Sequence, residues 1–247
     1  MQIFDIIDST QIEAKRQIDV KNNIANDAIL AITQTNGIST KKDVPWITQK
    51  GDLNLSVILN IPELLKNGNI CLEYLPFAGS MAILSEILTL HEKTNGDFHP
   101  FLKWPNDVLI FSNGEYKKVC GILCDNYKGH FIIGIGCNLI SHPLITQHFK
   151  ATDLFVESKE KLDCIEFAES VISSLMMNIK QIQTFGFHGI KERWKKYAYM
   201  LGKTLILRDG GEVIFNDISD DGCILASDKF GKHISICKSD EVIGGKW

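Results

Sequence analysis

Between residues 100 and 139, apolar segments suited to β-strands alternate with short turn signals. Asn113-Gly114 is a strong hairpin signal, because both residue types tolerate the positive φ angles of a two-residue turn. Lys128-Gly129 suits a second tight turn. Such turns join antiparallel neighbours, so the stretch predicts an antiparallel meander. Its strands are predicted at about 100–103, 108–111, 117–125 and 130–139.

Helices and strands are predicted on both sides of this meander. Apolar residues recur at helical spacing across 77–93 and 164–185. Ser9 and Thr10 suit the start of a helix that extends to about Asn22. The remaining predicted elements before residue 200 are strands at 2–7, 28–34 and 54–60 and a helix at 189–199.

From Gly202 onward, the pattern changes to short strands separated by glycine-containing turns. Closely spaced short strands are typical of a small barrel. We therefore expect an α+β fold with a mixed or antiparallel sheet flanked by helices over 1–199. A small C-terminal β-barrel is expected over 200–247. Its strands are predicted at 204–207, 212–217, 223–226 and 233–237.

Composition and charge exclude several classes of protein. The formal net charge is -4, which gives no support to nucleic-acid binding. No apolar run approaches the roughly 20 residues that a membrane helix needs, and the N-terminus lacks a signal-peptide pattern. We expect a cytoplasmic protein. None of the 7 cysteines forms a C-x-x-C pair, so reduced thiols are expected.

The run Lys103-Trp104-Pro105-Asn106-Asp107 is the most informative segment for chemistry. Pro105 removes one backbone donor and keeps Trp104 out of the helical region, so the chain is stiff where a strand ends. Asn106 and Asp107 then present short polar groups that can orient a phosphate or Mg²⁺. Taken alone, the run also suits an ordinary strand-to-turn corner.

Five segments together resemble the biotin protein ligase family, in the family's order and over nearly the whole chain. The Lys-Trp-Pro-Asn-Asp run is the hallmark of that family. Lys118–Asp125 resembles its Lys-x-x-Gly-Ile-Leu-x-Glu segment, and 134–138 resembles its Gly-x-Gly-x-Asn strand. Upstream, Asp8-Ser9-Thr10-Gln11 resembles Asp-Ser-Thr-Asn, and 34–37 resembles Gln-x-x-Gly. The resemblance implies a catalytic domain of the class II aminoacyl-tRNA synthetase-like, biotin/lipoate ligase type with an SH3-like C-terminal barrel.

The resemblance also implies roles for individual residues. Lys118 is implied as the catalytic cation, which must lie between the anionic biotin carboxylate and the α-phosphate of ATP. Biotin-binding positions are implied at Ser9, Thr10, Gln11, Gln34, Gly37, Lys118, Gly121 and Gly134. Nucleotide-binding positions are implied at Lys41, Lys42, Trp46, Lys103, Asn106, Asp107 and Asn138. Mg²⁺ is expected to arrive with ATP, with Asn106 and Asp107 as candidate ligands.

The ligand loop departs from the family pattern. Family members usually carry Gly-Arg-Gly-Arg-x-Gly-Arg, whereas the loop from Gly37 to Trp46 contains no arginine. Lys41 and Lys42 supply positive charge there, but a lysine cannot make the bidentate contact of an arginine. We therefore expect weaker retention of the biotinyl-adenylate and slower catalysis than in an arginine-bearing relative.

The implied activity is ATP-dependent formation of biotinyl-5′-AMP and transfer of biotin to a lysine of a biotin carboxyl carrier protein. Because the first resembling segment lies at Asp8, we expect the short form without a DNA-binding domain. A homodimer is a further expectation. Two alternatives stay open: a lipoate or octanoate transferase on the same fold, and a non-catalytic biotin-binding protein with a degraded loop.

Overall fold

The computed structural model describes residues 1–21, 27–40, 44–66, 70–143 and 149–246. Within these ranges the chain forms two β-sheets and six α-helices. The strands of the first sheet are β1 (Gln2–Ile7), β2 (Asp27–Gln34), β3 (Leu53–Asn60), β4 (His99–Lys103), β5 (Asp107–Ser112), β6 (Glu115–Tyr127), β7 (His130–Cys137) and β8 (Lys150–Ala151). The helices are α1 (Thr10–Lys21), α2 (Ile61–Leu65), α3 (Leu75–Thr94), α4 (Leu154–Ser158), α5 (Cys164–Phe185) and α6 (His188–Lys196).

The first sheet is mixed, with the order β1-β2-β3-β7-β6-β5-β4, and β8 pairs with β6. The β1–β2 and β6–β8 pairs are parallel, and the other pairs are antiparallel. The predicted meander is β4 to β7. At its turns, Asn113 and Gly114 have φ angles of 51° and 76°, and Lys128 and Gly129 have 45° and 76°. Positive φ at both positions suits a two-residue hairpin, so the turn prediction is confirmed.

Helices cover the two faces of this sheet unequally. The long helices α3 and α5 pack against each other and against one face, where they bury the main apolar core. On the other face, α1 packs over β2, β3 and β7 through a small cluster containing Ala14, Ile18 and Ile58. Beyond the start of α1 this second face is open, and a cleft lies there.

The C-terminal strands form a five-stranded antiparallel sheet with the order β12-β11-β10-β9-β13. It shares one apolar core with the first sheet and contacts α6 through β10, and Trp104 Nε1 donates a hydrogen bond to Gly222 O at 2.8 Å across the contact. The domain boundary at 199–200 stays a prediction. The strands are β9 (Thr204–Leu207), β10 (Glu212–Ile218), β11 (Ile224–Asp228), β12 (His233–Ile236) and β13 (Val242–Lys246).

Some features differ from the sequence-based expectations. Cys223 and Cys237 form a disulfide, so the expectation of thiols at all cysteines was wrong for this pair. The helices α2 and α4 and the strands β8 and β13 were not predicted. A five-residue helix spans little more than one turn, β8 has two residues, and Gly244 and Gly245 weaken the strand pattern of β13. The peptide bond between Trp104 and Pro105 is cis. In the part of the chain that the structure describes, no helix is both long and apolar enough to cross a bilayer.

Candidate active site

A cleft of about 490 Å³, including its open mouth, lies on the open face of the first sheet. Most of the predicted site residues line it together, although they are distant in sequence. These are Ser9, Thr10, Gln11, Gln34, Trp46, Asn106, Asp107, Lys118, Gly121 and Gly134.

Three predicted residues lie behind or beside the cleft. Gly37 closes the ligand loop, because Trp46 N donates to Gly37 O at 3.0 Å and a Cβ at Gly37 would lie 2.3 Å from Trp46 O. Asn138 is buried and donates to Thr152 O at 2.9 Å. Lys103 reaches the cleft only through Asp107. The predicted Lys41 and Lys42 lie outside the described residues.

One end of the cleft is built around the start of α1. Ser9 caps this helix, because its Oγ accepts a hydrogen bond from Gln11 N at 3.2 Å. The cap directs Thr10 and Gln11 toward β3 and places them in the cleft. Gln34, at the end of β2, accepts from Thr10 N at 2.8 Å through its Oε1. The sequence thus places three consecutive polar side chains beside a strand end.

β3 contributes two polar residues that we did not predict, Asn54 and Ser56. Ser56 Oγ lies 2.9 Å from both Thr10 Oγ1 and Gln11 Oε1. Gln34 Nε2 donates to Asn54 Oδ1 at 2.9 Å. A continuous chain of hydrogen-bonded side chains therefore lines this end of the cleft, and its members are nearly all buried. A sequence signal existed, since Asn54 and Ser56 alternate with leucines in an otherwise apolar strand.

Glycines on two neighbouring strands form the floor of the cleft. Gly121 on β6 pairs with Gly136 on β7, and Gly134 lies two residues away on the same face. A Cβ at Gly134 would lie 2.6 Å from Gln11 Oε1, and one at Gly136 would lie 2.4 Å from the Trp46 ring. The absence of side chains is therefore needed for this close approach. The indole ring of Trp46 lies against the bare backbone at Gly136.

Lys118 lies at the other end, and a β-bulge directs it there. Val108 pairs with Cys120 but Leu109 pairs with Lys118, so Val119 has no partner of its own on β5. Strict alternation would place Lys118 and Gly121 on opposite faces, because they are three residues apart. The bulge shifts the alternation by one residue and brings both to the cleft. Lys117 then lies on the opposite face, where it contacts Glu157.

Asp107 holds Lys118 in the cleft. Its Oδ1 lies 2.6 Å from Lys118 Nζ, and its Oδ2 lies 3.3 Å from Lys103 Nζ. Burial alone would raise the pKa of the Asp107 carboxyl, but the charges of the two lysines outweigh it and hold that pKa below its ordinary value. Asp107 is therefore ionised at neutral pH. Lys118 Nζ also lies 5.6 Å from the centroid of the Trp46 ring, within the range of a cation–π contact.

The arrangement does not fit a Mg²⁺ ion held by Asn106 and Asp107. Both oxygens of Asp107 already accept from lysines. Asn106 Nδ2 donates to Ile122 O at 2.7 Å, which ties this residue to β6. Among the described residues, no group of three or more His, Cys, Asp or Glu side chains could hold a metal. We derive no step through Mg²⁺.

Comparisons with known proteins agree with this architecture. Residues 3–139, more than half of the chain, match the family described as biotin/lipoate A/B protein ligase. The bifunctional ligase/repressor BirA of Bacillus subtilis (strain 168) is 28% identical over 235 residues, which cover 90% of this chain and 67% of that protein. A biotin--[acetyl-CoA-carboxylase] ligase of Paracoccus denitrificans is 29% identical over 145 residues, 54% of this chain and 59% of that protein.

Solved structures extend the likeness to nearly the whole chain. The biotin protein ligase of Aquifex aeolicus, solved in complex with biotin and ATP, superposes with a TM-score of 0.72 and 27% identity. The match covers 97% of this chain and 96% of that one. The fold, the order of the motifs and the residues in the cleft agree with the match over 3–139. The chain therefore belongs to the biotin/lipoate A/B protein ligase family.

Proposed function

We propose that this chain activates biotin with ATP and transfers it to a lysine of a biotin carboxyl carrier domain. The observation that carries the proposal is that one cleft contains both a buried polar chain and a lysine ammonium group. The polar chain suits the ring of biotin. The ammonium group suits the meeting point of its carboxylate with a phosphate.

The hydrogen-bonding capacity of the polar end favours a ligand that donates. Two hydroxyls, Ser56 and Thr10, lie between two amide oxygens, Gln11 Oε1 and Gln34 Oε1, with separations of 2.9, 2.9 and 3.2 Å along this row. Three oxygen–oxygen contacts share only two hydroxyl hydrogens, and Thr10 N donates to Gln34 Oε1 at 2.8 Å, so the row has more acceptor lone pairs than donors. An N–H group of a ligand can donate to one of the remaining lone pairs.

Ser9 offers the complementary group. Among the described residues its hydroxyl accepts a bond from Gln11 N and donates to no protein atom, so its hydrogen is available to a carbonyl oxygen. A cyclic urea carries N–H donors beside a carbonyl, which is the ring of biotin. The dithiolane of lipoate and the alkyl chain of octanoate carry neither. Unsatisfied buried groups discriminate strongly against ligands that lack the matching partner.

The chemistry has two steps. A biotin carboxylate oxygen attacks the α-phosphorus of ATP, a new P–O bond forms, and pyrophosphate leaves. The lysine amine of the carrier then attacks the carbonyl carbon, the C–O bond to AMP breaks, and the amine loses a proton to solvent. Lys118 neutralises charge where the two anions meet, and Trp46, Asn106 and Asp107 line the same region and bind the nucleotide.

Biotin-dependent pyrophosphate release tests this proposal against both alternatives. The protein is incubated with ATP, Mg²⁺ and either biotin, lipoate or octanoate, and labelling of a carrier domain is then detected with streptavidin. We expect pyrophosphate release and labelling with biotin alone. Release with lipoate or octanoate but not with biotin would identify the transferase alternative. Biotin binding without pyrophosphate release would identify a non-catalytic binding protein.

A further inference from the structure

Asp125 contacts the polar chain from outside the cleft. It lies on β6, and its Oδ2 accepts from Gln11 Nε2 at 3.3 Å. Gln11 Nε2 also donates to Ile132 O at 3.4 Å. An ionised carboxylate and a backbone carbonyl can only accept, so both require the amide nitrogen to face them. The Gln11 oxygen must then face Ser56, and it does so at 2.9 Å.

The opposite end of the chain is fixed in the same way. Asn54 Nδ2 donates to Ala31 O and to Asp52 O, both at 3.3 Å. The Asn54 oxygen therefore faces Gln34 Nε2, and the Gln34 oxygen faces Thr10. Both amide oxygens point inward at the two hydroxyls. Asp125 and Ile132 O hold the Gln11 nitrogen outward, Asn54 Oδ1 holds the Gln34 nitrogen, and Thr10 N donates to the Gln34 oxygen. The excess of acceptors in this row depends on both of these orientations.

Asp125 supplies the side-chain acceptor of the Gln11 nitrogen, and the other acceptor of that nitrogen is the backbone carbonyl of Ile132. Its carboxylate is itself held by Lys15, with Nζ 2.7 Å from Oδ2. The two side chains that form this contact differ from the family pattern in length, in opposite directions. Gln11 is one methylene longer than the Asn of that pattern, and Asp125 is one methylene shorter than the Glu.

We infer that Asp125 is a positioning residue for ligand specificity, which acts through Gln11 by directing its amide oxygen into the cleft. This rests on the proposed function, because it explains why the site prefers an acid whose ring carries N–H groups. Asp125 does not line the cleft. It sets the direction of the hydrogen bonds that the substrate meets.

Asp125→Asn tests this inference. An asparagine can turn its own amide nitrogen to Gln11, which leaves the 3.4 Å contact to Ile132 O as the remaining bond that holds the Gln11 nitrogen outward. Gln11 can then also present nitrogen instead of oxygen to Ser56. We expect about tenfold weaker biotin binding, the equivalent of one hydrogen bond, and an unchanged affinity for octanoate. Calorimetric titration with each acid, without ATP, gives the ratio of the two affinities. That ratio should fall about tenfold.

Two further variants separate positioning from a general loss of structure. Asp19→Asn is the matched control, because Asp19 is a carboxylate on the same helix as Gln11 that binds Lys128 at 2.6 Å away from the cleft. It should leave both affinities unchanged. Asp125→Glu should weaken biotin binding, because the carboxylate is then one methylene too long for the contact. The double variant Gln11→Asn with Asp125→Glu should restore biotin binding, because a shorter side chain at position 11 then meets the longer one at position 125.

Each outcome has a separate meaning. If Asp125→Asn weakens the binding of biotin and octanoate equally, or weakens neither, the inference is overturned. The proposed function is not affected by that result if the wild-type protein is active. Lost selectivity in Asp125→Asn together with a wild-type protein that binds biotin but releases no pyrophosphate supports the inference and contradicts the catalytic proposal. Wild-type protein that does not prefer biotin to octanoate contradicts both.

Discussion

Replacing Lys118 by alanine should lower the rate of biotin-dependent pyrophosphate release about 10²- to 10³-fold. This is the usual effect of removing one preorganised charge from the position where negative charge develops. Lys118 Nζ is held in the cleft by Asp107 at 2.6 Å, so its position does not depend on the ligand. Single-turnover measurement with saturating biotin and ATP reports the chemical step directly.

The thermal stability of Lys118→Ala should stay close to that of the wild type, because the side chain is 31% exposed and Asp107 keeps Lys103 as a partner. A variant that unfolds at the same temperature and has lost the reaction places Lys118 in catalysis. Activity within about threefold of the wild type would show that another group brings the reactants together.

Replacing Lys117 by methionine should lower the stability of the protein and leave the reaction rate nearly unchanged, which is the opposite of Lys118→Ala. Lys117 Nζ lies 2.5 Å from Glu157 Oε1, and the two side chains are only 13% and 4% exposed. Removing one partner of a buried pair leaves an uncompensated charge, which costs about 3–5 kcal/mol. At the lower value, the melting temperature should fall by roughly 6–12 °C. Pyrophosphate release per folded molecule should stay within about twofold of the wild type.

The pH dependence of this loss follows from Glu157. Burial raises the pKa of its carboxyl, but the hydrogen bonds from Lys117 and Thr152 and the charge of Lys117 outweigh it and lower that pKa below the ordinary 4.5. The pair therefore stabilises the fold above pH 4.5, and this contribution is lost as the pH falls through the lowered value. The difference between Lys117→Met and wild type should be largest at neutral pH and narrow in acid.

The double variant Lys117→Met with Glu157→Met provides the control. It leaves no buried charge, so it should recover most of the lost stability. A single variant as stable as the wild type at neutral pH would contradict the account of this pair. Of these two adjacent lysines of β6, Lys118 on one face thus serves catalysis and Lys117 on the other face serves stability.

The resemblance identified Lys118, but local sequence rules alone would have favoured its neighbour. In a regular strand, alternation would place Lys117 on the same face as Gly121 and Lys118 on the other face. The bulge at Val119 reverses this assignment. A bulge depends on the pairing of β6 with β5, which is not encoded in either strand separately. The partner of Lys117 could not be predicted either, because Glu157 lies forty residues later in a helix that is too short to predict.

The polar end of the cleft could be predicted only in part. Ser9, Thr10 and Gln34 follow from the resemblance and from the helix start. Ser56 and Asn54 had a usable signal in their alternation along β3. Asp125 lies in a segment that resembles the family, but its contact with Gln11 could not be predicted, since it joins residues separated by 114 positions. Side-chain networks of this kind depend on which strands become neighbours, and that is a property of the assembled sheet.

Several expectations stay predictions. The effect of an arginine-free loop on adenylate retention depends on Lys41 and Lys42, which lie outside the described residues. The carrier protein, the homodimer and the role of Asn138 toward a nucleotide are also predictions. In the described part of the chain, Asn138 Oδ1 is a buried acceptor without a hydrogen-bond partner, which suits it to accept from a ligand amine.

Oxygen-isotope transfer tests the central claim, which is attack of a carboxylate on the α-phosphorus beside Lys118. Biotin labelled with ¹⁸O in both carboxylate oxygens is incubated with the protein, ATP, Mg²⁺ and a carrier domain, and the nucleotide product is analysed by mass spectrometry. The account predicts AMP that carries one ¹⁸O atom for each biotin transferred, because the bridging oxygen leaves with the phosphate. Unlabelled AMP, or ADP as the product, would contradict it.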